Sequence, residues 1–357
     1  MTTCSSNFDK NLVAMSLWLM APDSEDLGSA AIDRKASSAV TSLRSTVGER
    51  LHDLLEGKPG GTLRIGFSGG LDSTVLLDLL ANIDLPNGWD LFAAHVNHGI
   101  AAQADEWQAQ CERVMTGYGL QFAVKQLRIE PAGNLEANAR EARYQVFAEL
   151  ACAHDFWLTA HHADDQVETV LLKLLQGRGF KGMSEVSTVN GVSVLRPLLG
   201  TSRVELVAYC RERQLVWIED PSNSDIQFER NYLRARILPG IVSRWPQVRE
   251  KVAHLLGSNK AIEDVAKFEI DRYRTSNPDG LRVVDLPVES KAAIAWLRMY
   301  LEAGGHYKVT EAALTEFMAQ VHAAQRARVV WRGGGLEVHK DLIRVLDDKG
   351  QFRLRDK

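Results

Sequence analysis

Cysteine is scarce in this chain of 357 residues: Cys4, Cys111, Cys152 and Cys210 lie far apart and form no C-x-x-C pair. That spacing argues against a zinc ribbon, a dithiol redox motif or a disulfide framework, and reads as a protein of a reducing cytoplasm. Long apolar runs are also missing. The longest, Leu12 to Ala21, falls short of the roughly 18 to 20 residues that cross a bilayer. It lacks a basic leader and a small-residue cleavage site, so neither a membrane span nor a signal peptide is expected. No internal repeat or low-complexity linker occurs. The Walker pattern G-x-x-x-x-G-K-[ST] is absent, which argues against a P-loop enzyme that cleaves a γ-phosphate. Nor is positive charge in excess: the formal net charge is −4, giving no global attraction to nucleic acid.

What is present is ordinary for a soluble globular protein, with 45% apolar and 25% charged residues. The length allows two domains, each with its own core. Basic character is local. From Arg196 to Arg249 there are nine arginines, no lysine and six acids, and arginine's planar fork suits phosphates and base edges better than a point charge does. A solvated helical surface would carry the same composition.

Residues 1–57 read as an N-terminal extension, partly disordered, with a helix from about Ser37 to Leu55. Strands and helices then alternate. Strands are expected at Thr62–Phe67, Leu91–Val96, Gln121–Ile129 and Phe156–Thr159. Helices are expected at Asp72–Ile83, Ala104–Tyr118, Leu135–His154 and Asp164–Leu175. Such alternation predicts an α/β fold, a doubly wound parallel sheet covered on both faces, with ligands at the carboxyl ends of its strands. Residues 58–245 would form this domain. Residues 246–357 would form a smaller, mainly helical domain, with helices near 247–275, 288–303 and 309–324 and a small β element near 327–331 and 342–346.

The first strand ends in Ser68-Gly69-Gly70-Leu71-Asp72-Ser73, and an amphipathic helix starts at once. Two glycines let the backbone approach phosphate oxygens without a Cβ in the way. The hydroxyls of Ser68 and Ser73 and the helix N–H groups can then bind the anion, while Asp72 can cap the helix or hold a magnesium ion. A tight strand-to-helix turn would use the same residues. Gly177-Arg178-Gly179-Phe180-Lys181-Gly182 matches G-x-G-x-x-G, but it follows a helix rather than a strand and so fails the context test for a dinucleotide site.

Other stretches carry polar groups to the same end of the sheet. The second strand runs into His95-Val96-Asn97-His98-Gly99. Asn134-Leu135-Glu136-Ala137-Asn138-Ala139-Arg140-Glu141-Ala142-Arg143-Tyr144 opens a long helix with Arg140 and Arg143 on one face. The fourth strand runs into Thr159-Ala160-His161-His162-Ala163-Asp164-Asp165-Gln166-Val167-Glu168-Thr169. Asp165 and Glu168 are i,i+3 neighbours there and can converge on a cation, or merely complement the helix dipole. Trp217-Ile218-Glu219-Asp220-Pro221-Ser222-Asn223 precedes Arg230-Asn231-Tyr232-Leu233-Arg234 and a helix ending at Pro239.

The S-G-G-x-D-S turn resembles the signature of the N-type ATP pyrophosphatases, the PP-loop superfamily, which cleave ATP between the α and β phosphates. Taken in order, the blocks from Thr62 to Pro239 resemble the tRNA(Ile)-lysidine synthase family. The resemblance implies ATP, Mg2+, L-lysine and a CAU-anticodon tRNA(Ile) as ligands, a homodimer, and no membrane partner. It implies Ser68, Gly69, Gly70, Leu71, Asp72, Ser73, His95 and Asn97 as ATP-binding residues. Asp72, Arg140, Asp165 and Glu168 become catalytic candidates, with Asp165 and Glu168 holding lysine or magnesium and the metal at Asp72 or Asp165. Arg230 and Arg234 become contacts for the AMP phosphate or the tRNA. The chain departs from the family at Ile100-Ala101, where Leu-Arg is common, and at Gln176, where an arginine is common and Arg178 stands close by. Its N-terminal extension is longer than usual, and it is expected to end after one C-terminal domain. A tRNA 2-thiolation enzyme would need a cysteine set that this chain lacks, and a GMP synthetase would need a glutaminase domain. A nucleotide-binding regulatory module without turnover remains the non-enzyme alternative.

Overall fold

The computed structural model describes residues 29–127, 135–278, 280–304, 309–324, 327–331 and 334–347. The expected Leu12–Ala21 run, the end of the third strand at Ile129, and Asn134 lie outside them. Two compact units divide the chain, the first ending at Val252 and the second starting at Ala253.

The first unit runs α1 (Ser29–Leu55), β1 (Gly61–Gly66), α2 (Leu71–Ala81), β2 (Trp89–Asn97), α3 (Ala104–Gly117), β3 (Gln121–Gln126), α4 (Leu135–Leu150), β4 (Phe156–Leu158), α5 (Ala163–Leu175), β5 (Val186–Val189), β6 (Val192–Leu195), α6 (Arg203–Glu212), α7 (Glu229–Tyr232), a π turn (Leu233–Ile237), α8 (Leu238–Arg244) and the start of α9 (Val248–Ser276). The strand order is β3-β2-β1-β4-β6-β5. All pairs are parallel except β5 with β6. The parallel sheet expected from the alternation is therefore present but carries one reversed edge strand. Asn190 and Gly191, with φ of 51° and 80°, make the two-residue turn that joins β5 to β6, because both central positions of such a hairpin need positive φ.

Successive strand residues point to opposite faces, and two separate cores record this. Ala93 and Leu158 belong to the core with α1, α2 and α6. Their neighbours Ala94 and Trp157 belong to the core with Tyr144 and Phe147 of α4, where Phe147 and Trp157 stack with centroids 3.8 Å apart. Helix α1 joins the first core through Val40, Leu43, Val47, Leu51 and Leu55, a helical spacing. Helix α2 is buried nearly all round rather than along one face, and it ends at Ala81, short of Ile83. Pro239 does not end a helix; it sits in the first turn of α8, where a missing N–H leaves no bond unmade.

The second unit continues α9 and adds β7 (Leu281–Arg282), α10 (Ser290–Ala303), α11 (Glu311–Ala324), β8 (Arg328–Trp331), β9 (Gly334–His339) and β10 (Leu342–Leu346). Its β element is a four-stranded antiparallel sheet, β7-β10-β9-β8. Leu297, Leu301, Leu314, Phe317 and Leu336 centre its core.

Inside the first core sits a charge. Asp78 on α2 is fully buried and accepts from Tyr118 (2.6 Å), Tyr209 (2.6 Å) and both prongs of Arg213 (3.0 Å each). Burial alone would raise its pKa, but these donors hold it below the ordinary 3.8. Such a group adds stability above its unfolded pKa, and that stability is lost as pH falls through its lower folded value. Removing one member of a buried charge network costs about 3–5 kcal/mol, so Asp78→Ala should lower unfolding stability by that order at pH 7. The gap to the unsubstituted protein should close on acidification below about pH 4, read by urea unfolding across a pH series.

Candidate active site

Strand order reverses its direction of growth between β1 and β4, and ligands of doubly wound sheets bind at such a switch point. The segments that leave β1 and β4 there are the two richest in chemistry, 68–73 and 159–168.

Leaving β1, the chain turns at Gly69 with φ +81°. A Cβ built on Gly69 would lie 2.6 Å from Ile218 Cδ1 and 2.7 Å from Cys111 Sγ, so only glycine fits. The Gly69 carbonyl is held by Ile218 N–H (2.8 Å) and Thr74 Oγ1 (3.3 Å). Ser68 and Ser73 hydroxyls meet at 3.0 Å, and Ser73 also donates to the Gly70 carbonyl. Gly70 is the N-cap of α2 and provides no side-chain cap, which leaves the first N–H groups of the helix available to an anion.

From β2, His95 Nδ1–H donates to the Phe67 carbonyl at 2.9 Å. Burial, opposed by that bond, holds its pKa below the ordinary value. His98 is pushed down to about 4 by burial, then by Arg143 and His95, so both imidazoles are neutral near pH 7. The Asn97 amide donates to Asp105 and Gln108, and its oxygen accepts from Gly99 N–H. These contacts tie His95 to the end of β1, beside the 68–73 turn, and Asn97 to the start of α3.

Leaving β4, two adjacent histidines titrate in opposite directions. Burial, then Arg196, Arg140, Arg230 and Arg143, hold His161 well below its ordinary pKa. His162 is also buried, which would lower its pKa, yet Asp72, Asp165 and Asp164 raise it. Its Nε2 lies 3.5 Å from Asp165 and 3.7 Å from Asp72, and its Nδ1 lies 3.8 Å from Asp164. His162 therefore links the start of α2 to the start of α5. The doubled His-His and Asp-Asp in the sequence are the signal for His162 and Asp164, which motif reading had not singled out as site residues. Asp164 in turn binds Arg249 through Nε (2.8 Å) and a terminal nitrogen (2.6 Å), and accepts from Arg203 N–H.

Asp165 and Glu168 do converge, as their i,i+3 spacing predicts, but on arginines. Glu168 accepts from Arg230 Nε (2.8 Å) and from Arg234 Nε and a terminal nitrogen (2.6 and 2.9 Å). Asp165 Oδ1 lies 3.2 Å from Arg234 and 3.4 Å from Arg230. Burial would lower the Arg234 pKa, but Glu168 and Asp165 raise it. Arg230 lies on α7 and Arg234 in the π turn that follows it, where Leu233 is buried, a distortion frequent at functional sites. Arg140 lies on α4, exposed, with its guanidinium 5.4 Å from the Tyr144 ring centroid; it reaches the cluster through its field on His161.

For a cation, the oxygens of Asp165 are already engaged by His162 N–H, Arg230 and Arg234. Asp72 Oδ1 is buried and has no hydrogen-bond partner among the described residues. Of the two, Asp72 fits a magnesium ion better, as one carboxylate completed by phosphate oxygens and water. No group of three or more His, Cys, Asp or Glu suited to a metal occurs among the described residues.

Residues 43–241 match the PP-loop domain family, to which the chain belongs. Within it, the chain is similar to tRNA(Ile)-lysidine synthases. That of Pseudomonas syringae pv. tomato is 37% identical over 310 residues, covering 81% of this chain and 68% of that protein. That of Pseudomonas fluorescens is 43% identical over 245 residues, covering 66% of this chain and 54% of that protein. The chain thus spans between about half and two thirds of these relatives' lengths. A U34-tRNA thiolase from Methanococcus maripaludis shares the fold at 18% identity and a TM-score of 0.52, over 62% of this chain and 79% of that one. No described helix is long and apolar enough to cross a membrane.

Truncating Glu168 leaves two arginines facing one remaining carboxylate. Loss of a buried partner costs about 3–5 kcal/mol, and Glu168→Ala should destabilise by that order. A double-mutant cycle with Arg234→Ala should return a coupling of about 0.5–3 kcal/mol, and additive losses would refute the network.

Proposed function

We propose that this chain joins L-lysine to C2 of the wobble cytidine, position 34, of a CAU-anticodon tRNA(Ile), using ATP in the cytoplasm. The products are lysidine, AMP and diphosphate, and codon reading changes from AUG to AUA. The observation that carries the reading is the convergence of an uncapped, glycine-turned phosphate loop with Asp72, His162, Asp165, Glu168, Arg230 and Arg234 at one switch point. Similarity to lysidine synthases supports it.

In the first step cytidine O2 attacks the α-phosphorus; an O–P bond forms and the bond to the pyrophosphate oxygen breaks. Ser68, Gly69, Gly70, Leu71 and Ser73 hold the leaving pyrophosphate through hydroxyl and N–H donors, where fixed dipoles act most strongly. Arg140 offsets charge building on the phosphoryl oxygens. A magnesium ion at Asp72 would neutralise phosphate charge. In the second step the lysine side-chain amine attacks C2, a C–N bond forms, the C2–O bond to AMP breaks, and the amine's proton passes to water. Asp165 and Glu168 face the lysine ammonium, and Arg230 and Arg234 face the AMP phosphate or the tRNA backbone. An ammonium and a phosphate entering this cluster exchange partners with ion pairs already formed, so charge stays balanced. An unstacked anticodon base exposes O2 without breaking a duplex.

The test is incorporation of labelled lysine into a CAU tRNA(Ile) transcript with ATP and magnesium, with AMP followed alongside. Label that depends on lysine and vanishes in Asp72→Ala is the expected result. ATP binding with neither AMP nor label would make the chain a nucleotide-binding module. Because its Cβ would enter Ile218 and Cys111, Gly69→Ala should weaken ATP binding at least about tenfold, or 1.4 kcal/mol, measured calorimetrically.

A further inference from the structure

The G-x-G-x-x-G segment that failed as a dinucleotide motif has a place in this site. Helix α5 carries Asp165 and Glu168 near its start and runs out at Leu175; the chain then returns along it. Gln166, the neighbour of Asp165, grips the Met183 backbone in both directions at 2.7 Å. Lys173 Nζ donates to the Gly182 carbonyl at 3.4 Å. On the other side Gln176 donates to Glu229 at 2.7 Å, the residue before Arg230. Both ends of the loop are therefore fastened beside residues of the ion cluster.

Between these anchors Gly177 and Gly179 take φ of 68° and 79°, and Arg178 and Lys181 are exposed. The segment 177–182 has two cations and no acid. We propose that this loop, through Arg178, Lys181 and the adjacent Lys173, binds the sugar–phosphate backbone of the RNA substrate next to the reacting nucleotide. The inference rests on the lysine-ligation reading and adds a binding surface to it.

The charge around the loop supports a polyanion. Burial and then Lys181 and Arg140 lower the pKa of Lys173, so three cations from α4, α5 and the loop repel one another. Arg196 feels Arg140 in the same sense, after burial. A free nucleotide is already provided for by the 68–73 turn, whereas exposed cations along a loop suit successive phosphodiesters. Leu174 and Leu175, 56% and 75% exposed at the end of α5, add apolar surface for ribose or base.

The test uses the full chain and an Arg178→Ala/Lys181→Ala double variant, with binding of the CAU tRNA(Ile) transcript measured across salt concentrations. Each phosphate contact contributes a slope near 0.9 in log K against log salt, so the slope should flatten by about 1–2. Affinity at low salt should fall roughly tenfold or more. The KM for tRNA should rise while those for ATP and lysine stay unchanged, and Arg178→Lys/Lys181→Arg should restore binding. An unchanged slope and tRNA KM in a variant that melts like the parent would overturn the loop assignment and leave the reaction intact. If the parent chain neither binds nor modifies the transcript, both readings fall.

Discussion

A carboxylate with about one per cent of its side chain exposed needs hydrogen-bond partners in place of water, and Glu168 has two. Both come from Arg230 and Arg234, more than sixty residues later in the chain. The interaction therefore does more than neutralise a carboxylate. It fastens α7 and the π turn to α5, and with them Leu233 and Leu238, which pack on Val167 in a small core of their own. Desolvation makes the arrangement demanding: a buried pair gains little over an apolar one, yet losing either partner is severe.

The same logic of shared charge extends to the phosphate turn. His162 stands among Asp72, Asp164 and Asp165, and those carboxylates raise its pKa against the opposing effect of burial. Its neighbour His161 is held well below the ordinary value by burial and then by arginines. Two adjacent imidazoles are thus shifted in opposite directions, His161 down by burial and then by arginines, His162 up by the carboxylates around it.

Much of this was legible from residue patterns. Alternating strands and amphipathic helices identify a doubly wound sheet because the two periodicities differ, and the S-G-G-x-D-S turn between strand and helix marks the PP-loop family that residues 43–241 match. The i,i+3 spacing of Asp165 and Glu168 correctly brings their carboxylates together. The β5–β6 hairpin had its own signal in Asn190-Gly191, which the expectation of pure alternation passed over. Asp78 had none: one acid in an apolar helix reads as its polar face until Tyr118, Tyr209 and Arg213 are brought to it.

The division follows from the range of the forces involved. Sequence alone determined the local matters: which segments are helix or strand, where the chain turns on glycine, and which side chains share a helical face. These depend on neighbours within a few residues. Tertiary structure alone decided who neutralises whom: that Glu168 and Asp165 meet Arg230 and Arg234, that Gly69 is wedged against Ile218 and Cys111, and that Gln166 holds the returning loop. Charges and packing act through space, and only the folded chain sets those distances.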